Sequence, residues 1–138
     1  MIDCMPNRRD LFKLTALNAL AAMANDQLPN ATRGASQAQV THEEFGDLKV
    51  YFDGPTGQLS NMTAGSLLLK PGKSPHPPHQ HPEEEIMVVT EGTGEISIDG
   101  KVTKVAGGSM MFCGGGTLHG IVNTGKTPLL FYYYKWKR

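Results

Sequence analysis

The sequence predicts an all-β domain in which short antiparallel strands form a sandwich or a barrel. Runs of β-branched, aromatic and aliphatic residues are separated by turn signals about every 8–12 residues. Glycine accounts for 16 of the 138 residues, which is typical of a turn-rich chain. No helical pattern separates these runs, so a fold of alternating strands and helices is disfavoured. The length corresponds to one domain with its own core.

Eight strands are predicted, and turn residues separate them. The clearest pair is formed by residues 94–98 and 101–105, which flank the dipeptide Asp99-Gly100. This dipeptide is typical of a two-residue hairpin turn. The predicted strands cover residues 48–52, 66–69, 85–90, 94–98, 101–105, 109–113, 118–122 and 129–136.

Charge and cysteine content exclude several classes of protein. The chain has 13 basic and 13 acidic residues, so it lacks the positive footprint of a nucleic-acid-binding protein. It contains no run of about 20 apolar residues, so we expect no membrane span in the mature chain. Its two cysteines, Cys4 and Cys113, cannot form a multi-bridge disulfide scaffold.

Residues 1–24 have the order of a secretory signal, with a basic cluster, a mildly apolar stretch and a small-x-small triplet at residues 22–24. The run from Asn7 to Lys13 resembles a twin-arginine export signal, although its Leu-Phe pair inverts the commoner order. The resemblance implies a signal helix and export to the periplasm or the extracellular space. An amphipathic helix packed on the domain is the alternative. Residues 25–41 are rich in small and polar residues, and we expect them to form a disordered linker.

Two glycine-bounded segments contain four of the five histidines. Four prolines in the first segment prevent a helix, because proline lacks an amide donor and has a fixed backbone angle. Side chains two apart in an extended chain point to the same face, so His79, His81 and Glu85 should share one. Two imidazoles and a carboxylate form a metal-ligand set that leaves positions open for water or substrate. The second segment supplies His119 just after a glycine turn.

Together, the two segments resemble the two sequence motifs of the cupin superfamily. The first motif is matched by Gly72, His79, His81, Glu85 and Gly92, and the second by Gly108, Gly116, His119 and Asn123. The chain departs from the pattern by one inserted residue around His76-Pro77 and by Gly114, where the family usually has proline. The resemblance covers about residues 42–136, and it identifies residues 42–138 as a small single-domain cupin.

The resemblance implies a double-stranded β-helix, which is a small jelly-roll barrel. It also implies an inward-pointing ligand set for one divalent transition metal (iron, manganese, nickel or zinc) that consists of His79, His81, Glu85 and His119. Glu85 is preferred over Glu83 because it lies four residues after His81, and Glu83 is the alternative ligand. A barrel with vestigial ligands and a histidine-proline loop that binds metals loosely are the other interpretations.

Three further features complete the sequence-based expectations. His76 is expected to face solvent, with a place at the pocket mouth as the alternative. Cys113 is expected to be a buried and inert apolar residue, and a redox or substrate-contact role is the alternative. Leu129, Phe131 and Tyr133 share one face of the last strand, and further large side chains occupy the other. Only one face can fill the barrel, so the uncovered aromatics predict a homodimer unless the N-terminal segment covers them.

The resemblance implies a metal-dependent enzyme, and its leading form is a dioxygenase-like enzyme that acts on a small phenolic or dicarbonyl compound. No catalytic base can be assigned from the sequence. The alternatives are a non-catalytic module that binds a metal or a small ligand, and a sugar or keto-acid isomerase. The isomerase is less favoured because the segments around the ligands offer only Lys73 as a positive charge.

Overall fold

The computed structural model describes residues 26–138, which form nine β-strands and one short 3₁₀ helix, η1 (Ala35–Gln37). The strands are β1 (Gln39–Glu43), β2 (Gly46–Gly54), β3 (Asn61–Leu69), β4 (Glu84–Glu91), β5 (Thr93–Ile98), β6 (Lys101–Ala106), β7 (Met110–Cys113), β8 (His119–Val122) and β9 (Leu129–Lys137). All eight predicted strands are confirmed with shifted ends. The predicted signal segment, residues 1–24, lies outside the described residues. Within residues 26–138, no helix is long and apolar enough to cross a membrane.

The sequence pattern does not predict β1. All five of its residues are exposed, so it lacks the alternation of apolar and polar side chains that marks a half-buried strand. Antiparallel pairing with β2 forms the strand, with Gln39 opposite Val50 and Glu43 opposite Gly46. The first sheet therefore begins at Gln39, inside the segment that the sequence predicts to be a linker.

The described part of the predicted linker also contacts the domain. The Leu28 amide donates a hydrogen bond of 2.8 Å to the Pro55 carbonyl. The guanidinium of Arg33 lies 4.7 Å from the centroid of the Phe52 ring, a cation–π distance. Residues 26–38 therefore lie along β2 instead of forming a detached, disordered connection.

The strands form two antiparallel sheets. The larger sheet has the order β1-β2-β3-β9-β4-β7, and the smaller has the order β6-β5-β8. The C-terminal strand β9 lies between β3 and β4 in the larger sheet. Its neighbours come from distant parts of the chain, so long-range pairing builds this two-sheet β-sandwich.

An apolar core joins the two sheets. In β9 the face that carries Leu129 and Phe131 is buried, which decides which of the two predicted faces fills the sandwich. Cys113 is buried as expected, and burial raises the pKa of its thiol. The core cluster consists of Leu67, Leu69, Met87, Val89, Ile96, Val105, Met111, Cys113, Ile121, Leu129 and Phe131.

Two further motif residues maintain the shape of the sandwich. Gly92 has a φ of 83°, and a Cβ atom there would lie 2.5 Å from the Pro128 carbonyl oxygen. Asn123 is fully buried, and its Nδ2 donates hydrogen bonds of 3.0 Å to the Leu69 carbonyl and 2.9 Å to the Thr127 carbonyl. Both residues therefore have structural roles.

Candidate metal centre

Three parts of the chain supply the predicted ligands. His79 and His81 lie on the loop between β3 and β4, Glu85 lies on β4, and His119 begins β8. The backbones of His79 and His119 form an isolated antiparallel bridge with N–O distances of 2.9 and 3.0 Å. Since β4 and β8 belong to different sheets, the site spans both layers, and the bridge holds the proline-rich loop against the smaller sheet.

The three histidines form a compact cluster, which we call the histidine cluster (His79, His81 and His119). One ring nitrogen from each lies within 4.8 Å of the others, a spacing that could hold a metal ion. The ring centroids are 4.8 to 5.1 Å apart, and the rings meet edge to face. The sequence-based grouping of these histidines therefore corresponds to a real cluster in space.

Glu85 joins this cluster through its carboxylate. Its Oε2 atom lies 3.0 Å from His81 Nε2 and 2.8 Å from His119 Nε2. The alternative carboxylate, Glu83, lies 3.3 Å from the other ring nitrogen of His81, Nδ1. Glu85 is 5% exposed, so its charge needs partners within the protein. The position of Glu85 suits a ligand, whereas Glu83 is placed to orient the His81 ring.

Hydrogen bonds on the far side of two rings indicate which nitrogen is free. His81 Nδ1 lies 3.1 Å from the Glu83 carbonyl oxygen, and His119 Nδ1 lies 2.8 Å from that of Thr117. A carbonyl oxygen only accepts, so each Nδ1 donates and each neutral ring carries its lone pair on Nε2. Both lone pairs then face the Glu85 carboxylate, which also accepts. Such a convergence of electron-pair donors fits a divalent cation, and bonds from Nδ1 to carbonyls are typical of metal-ligating histidines.

His79 is suited to remain neutral. Burial, together with the neighbouring His76, His119 and His81, lowers its pKa from 6.5 to about 4, whereas Glu85 acts in the opposite direction. An imidazole must be unprotonated to bind a metal. His79 therefore offers a free lone pair over the whole neutral pH range.

His76 lies against the histidine cluster, so the expectation that it faces solvent is wrong. Its ring stacks on His79 with centroids 3.6 Å apart and an angle of 24° between the planes. Its Nδ1 donates to the Pro77 carbonyl over 2.8 Å. The ring is half-buried and borders the cavity beside the cluster, which corresponds to the alternative at the pocket mouth.

A cavity of about 280 Å³ opens beside the histidine cluster and is called the metal-centre cavity below. It is at the small end of ligand pockets, which are typically about 300–1,000 Å³. A larger groove of about 720 Å³ lies outside the smaller sheet, and none of the three clustered histidines lines it. The apolar part of the metal-centre cavity is lined by Phe45, Leu48, Leu67, Met87 and Phe131.

Sequence reasoning assigns no role at the site to two polar residues of this cavity, Tyr133 and Lys135. Burial raises the pKa of the Tyr133 hydroxyl, and the nearby carboxylates of Glu85 and Asp53 raise it further. Lys135 lies directly opposite Glu85 in the pairing of β9 with β4. The parity of the last strand places Lys135 on the same face as Phe131 and Tyr133, and this is the signal that could have identified it.

Comparison with solved structures shows the same fold in several proteins. KdgF from Halomonas sp. superposes with a TM-score of 0.65 at 19% identity, covering 80% of this chain and 96% of the other. An RmlC-like cupin from Shewanella frigidimarina gives a TM-score of 0.62 at 18% identity, covering 82% and 95%. The polyketide cyclase RemF from Streptomyces resistomycificus gives 0.64 at 19% identity, covering 80% and 81%. At these identities, the likeness concerns the fold alone.

The family comparison covers the site itself. No curated protein matches the chain. The Cupin_2 family model, described as "Cupin domain", matches residues 65–134, and this range includes the histidine cluster and Glu85. The sandwich, the motif residues and this match over half of the sequence agree, and the chain is therefore a member of the cupin family.

Proposed function

We propose that the domain is a metal-dependent enzyme of dioxygenase-like type that acts on a small phenolic or dicarbonyl compound. The observation that carries the proposal is the convergence of three histidine nitrogens and the Glu85 carboxylate beside a small, mainly apolar cavity. Neutral imidazoles with a carboxylate suit iron, manganese, nickel or zinc. The cavity leaves space for a ligand next to the cluster.

His79, His81, His119 and Glu85 would hold one divalent metal per chain. When bound, such a metal supplies Lewis-acid polarisation of a substrate oxygen, and iron in addition supplies oxygen chemistry. The residues of this chain contribute orientation and exclusion of water. The carbonyls of Glu83 and Thr117 set the ring orientations, and the apolar lining keeps the ligand dry.

Two alternatives compete with this proposal. The first is a non-catalytic module that binds a metal or a small ligand, which needs the same cluster and cavity. The second is a sugar or keto-acid isomerase, which needs no oxygen. The proteins of similar fold include a polyketide cyclase, so a reaction other than oxygenation is kept as an alternative.

Oxygen dependence separates the three functions. The metal content of the purified chain is measured first, and the protein is then incubated with catechol or 2,4-pentanedione as probes, in air and under argon. The proposed function predicts about one metal per chain and turnover of at least one probe in air only. Equal turnover under argon would favour a non-redox enzyme. Probe binding without turnover in either atmosphere would favour the binding module.

We also propose that residues 1–24 direct export through a twin-arginine pathway to the periplasm or beyond. The support is the order of a basic cluster, an apolar stretch and small residues around Arg8 and Arg9. The test fuses the segment to a reporter and replaces both arginines with lysine. Loss of export supports the proposal, and unchanged export contradicts it.

Finally, we propose that the domain forms a homodimer through the outer face of the larger sheet. Met110, Phe112 and Tyr134 are 68%, 59% and 41% exposed. In the strand register Phe112 lies opposite Ile86, and Ile86 lies opposite Tyr134, so they form one apolar row across β7, β4 and β9. Contiguous apolar surface of this kind is typical of protein interfaces.

A further inference from the structure

We propose that Lys135 forms a carboxylate-binding subsite in the metal-centre cavity, so that the natural ligand is a small organic acid with an apolar body. The proposal builds on the proposed function, because it concerns the ligand of the same cavity. It specifies the charge and shape of that ligand, which the fold and the histidine cluster leave open.

The position of Lys135 carries the first part of the inference. It lies on the inward face of β9, two residues beyond Tyr133, and it lines the metal-centre cavity. Its neighbours across the sheet are Glu85 on β4 and Thr63 on β3. The side chain is half-buried, so it lies at the border between the cavity and water. A ligand in the cavity would meet it on entry.

The acids near Lys135 have other partners. Glu85 contacts two histidines of the cluster. Asp53, which lies opposite Thr63 on β2, accepts a hydrogen bond of 2.9 Å from the Thr63 hydroxyl. Among residues 26–138, the ion pairs involve Lys73 and histidines but not Lys135. Its ammonium therefore has its hydrogen-bonding capacity available for an incoming anion.

Charge balance then favours an anionic ligand. A divalent cation with three neutral imidazoles and the Glu85 carboxylate has a net charge of +1. The ammonium of Lys135 adds a second positive charge beside a mainly apolar cavity, where interactions between charges are stronger than in water. A site with this excess attracts and orients an anion.

Size and donor count select the kind of anion. A cavity of about 150 Å³ accommodates benzene, so about 280 Å³ holds a ring with a few additional atoms. Phosphate sites usually gather several donors, such as arginine forks or a nest of backbone amides. The described lining of this cavity offers a single ammonium and no arginine. One carboxylate on an apolar body therefore fits better than a phosphate ester.

The test compares benzoate with benzamide, which has nearly the same shape but no charge. Isothermal titration calorimetry measures the binding of both probes to the full, metal-containing chain as purified. Lys135→Met removes the charge and retains an apolar stem, Lys135→Arg retains a cation, and Lys104→Met on the exposed strand β6 is the matched control. Metal content and circular dichroism confirm that each variant is folded.

The proposal predicts that the wild type binds benzoate more tightly than benzamide. Lys135→Met should reduce this preference by about tenfold or more, as expected for loss of one charge-assisted hydrogen bond. Lys135→Arg should restore most of the preference, and Lys104→Met should not change it. An unchanged preference in Lys135→Met would overturn the subsite, as would the absence of benzoate binding to the wild type.

These outcomes are distinct from failure of the proposed function. If the chain binds no metal or oxidises neither catechol nor 2,4-pentanedione, the dioxygenase-like function is wrong. A benzoate preference that depends on Lys135 would still support the subsite in that case. If oxygen-dependent turnover occurs but Lys135→Met leaves the benzoate preference intact, the function stands and the subsite is wrong.

Discussion

Along β4 and β9, the interior of the sandwich changes from apolar at one end to polar at the other, although both ends are buried. At the apolar end, Val89 and Leu129 are 1% and 0% exposed. At the polar end, Glu85 of β4 is 5% exposed, and its contact His119, on β8 of the smaller sheet, is 1% exposed. Burial of a large aliphatic side chain contributes about 1.5–3 kcal/mol, whereas a buried charge costs free energy unless it is paired. The comparison indicates that burial of the apolar end stabilises the fold. At the polar end, the buried charge of Glu85 requires a partner.

The largest expected effect concerns the polar end. His79→Ala and His119→Ala should each reduce the metal content from about one per chain to a small residue, because each removes a ligand from the histidine cluster. Elemental analysis of the purified variants measures this. His42→Ala is the matched control, since His42 is exposed and pairs with Asp47 outside the site. If both cluster variants retained their full metal content, the histidine cluster would not be the metal site. The contrast between a stabilising apolar end and a metal-binding polar end would then be wrong.

The next effect concerns the apolar end. Leu129→Ala should lower the free energy of unfolding by about 2–5 kcal/mol, because it leaves a cavity in the core. Urea titration measures this, and the folded variant should retain its metal. Leu68→Ala on the exposed face of β3 should change stability by less than about 0.5 kcal/mol. Loss of metal without loss of stability in Leu129→Ala would contradict the comparison.

A smaller effect is expected at Asn123, a buried polar residue with a structural role. Asn123→Ala leaves the carbonyls of Leu69 and Thr127 without their side-chain donor, which should cost about 1–3 kcal/mol of unfolding free energy. Urea titration of this variant and of a control variant at an exposed position, Asn30→Ala, measures the difference. Metal content should not change. A drop in metal content equal to that of His119→Ala would show that the polar end extends to Asn123.

The smallest effect on folding is expected outside the interior. Phe112→Ser should change the free energy of unfolding of the monomer by less than about 0.5 kcal/mol, because the ring is exposed. It should nevertheless shift the proposed dimer towards monomer in sedimentation at micromolar concentration. Val102→Ser, exposed on the smaller sheet, should leave the dimer intact. A wild type that sediments as a clean monomer would disprove the dimer.

Much of the fold could be predicted because its signals are local. Eight of the nine strands in residues 26–138 carry runs of apolar residues bounded by turn residues, and these runs persist in the structure. The exposed strand β1 has no such pattern, and its existence depends on pairing with β2. Similarly, residues 26–38 have the composition of a linker, yet Leu28 and Arg33 contact the sheet.

The candidate site shows the same division. The alternation of residues in an extended, proline-rich chain groups His79 with His81, and the second motif adds His119, as the cluster confirms. The sequence-based prediction that His76 faces solvent is wrong. The side chains of a turning, proline-rich loop do not alternate regularly between two faces, so the sequence could not place this ring. Lys135 is missed because its importance comes from a neighbour 50 positions earlier in the chain, Glu85.

The sequence by itself determined the class of fold and the residue types of the candidate metal centre, since both depend on residue identity and short spacing. Tertiary structure decided which face of β9 lies inside, which nitrogens point at Glu85, and what surrounds the cavity. The physical reason is that β-sheet pairing joins residues that are far apart in the chain. Register and layer packing therefore determine which residues become neighbours, such as Glu85 and Lys135, whereas a local pattern gives only the face of the strand on which each residue lies.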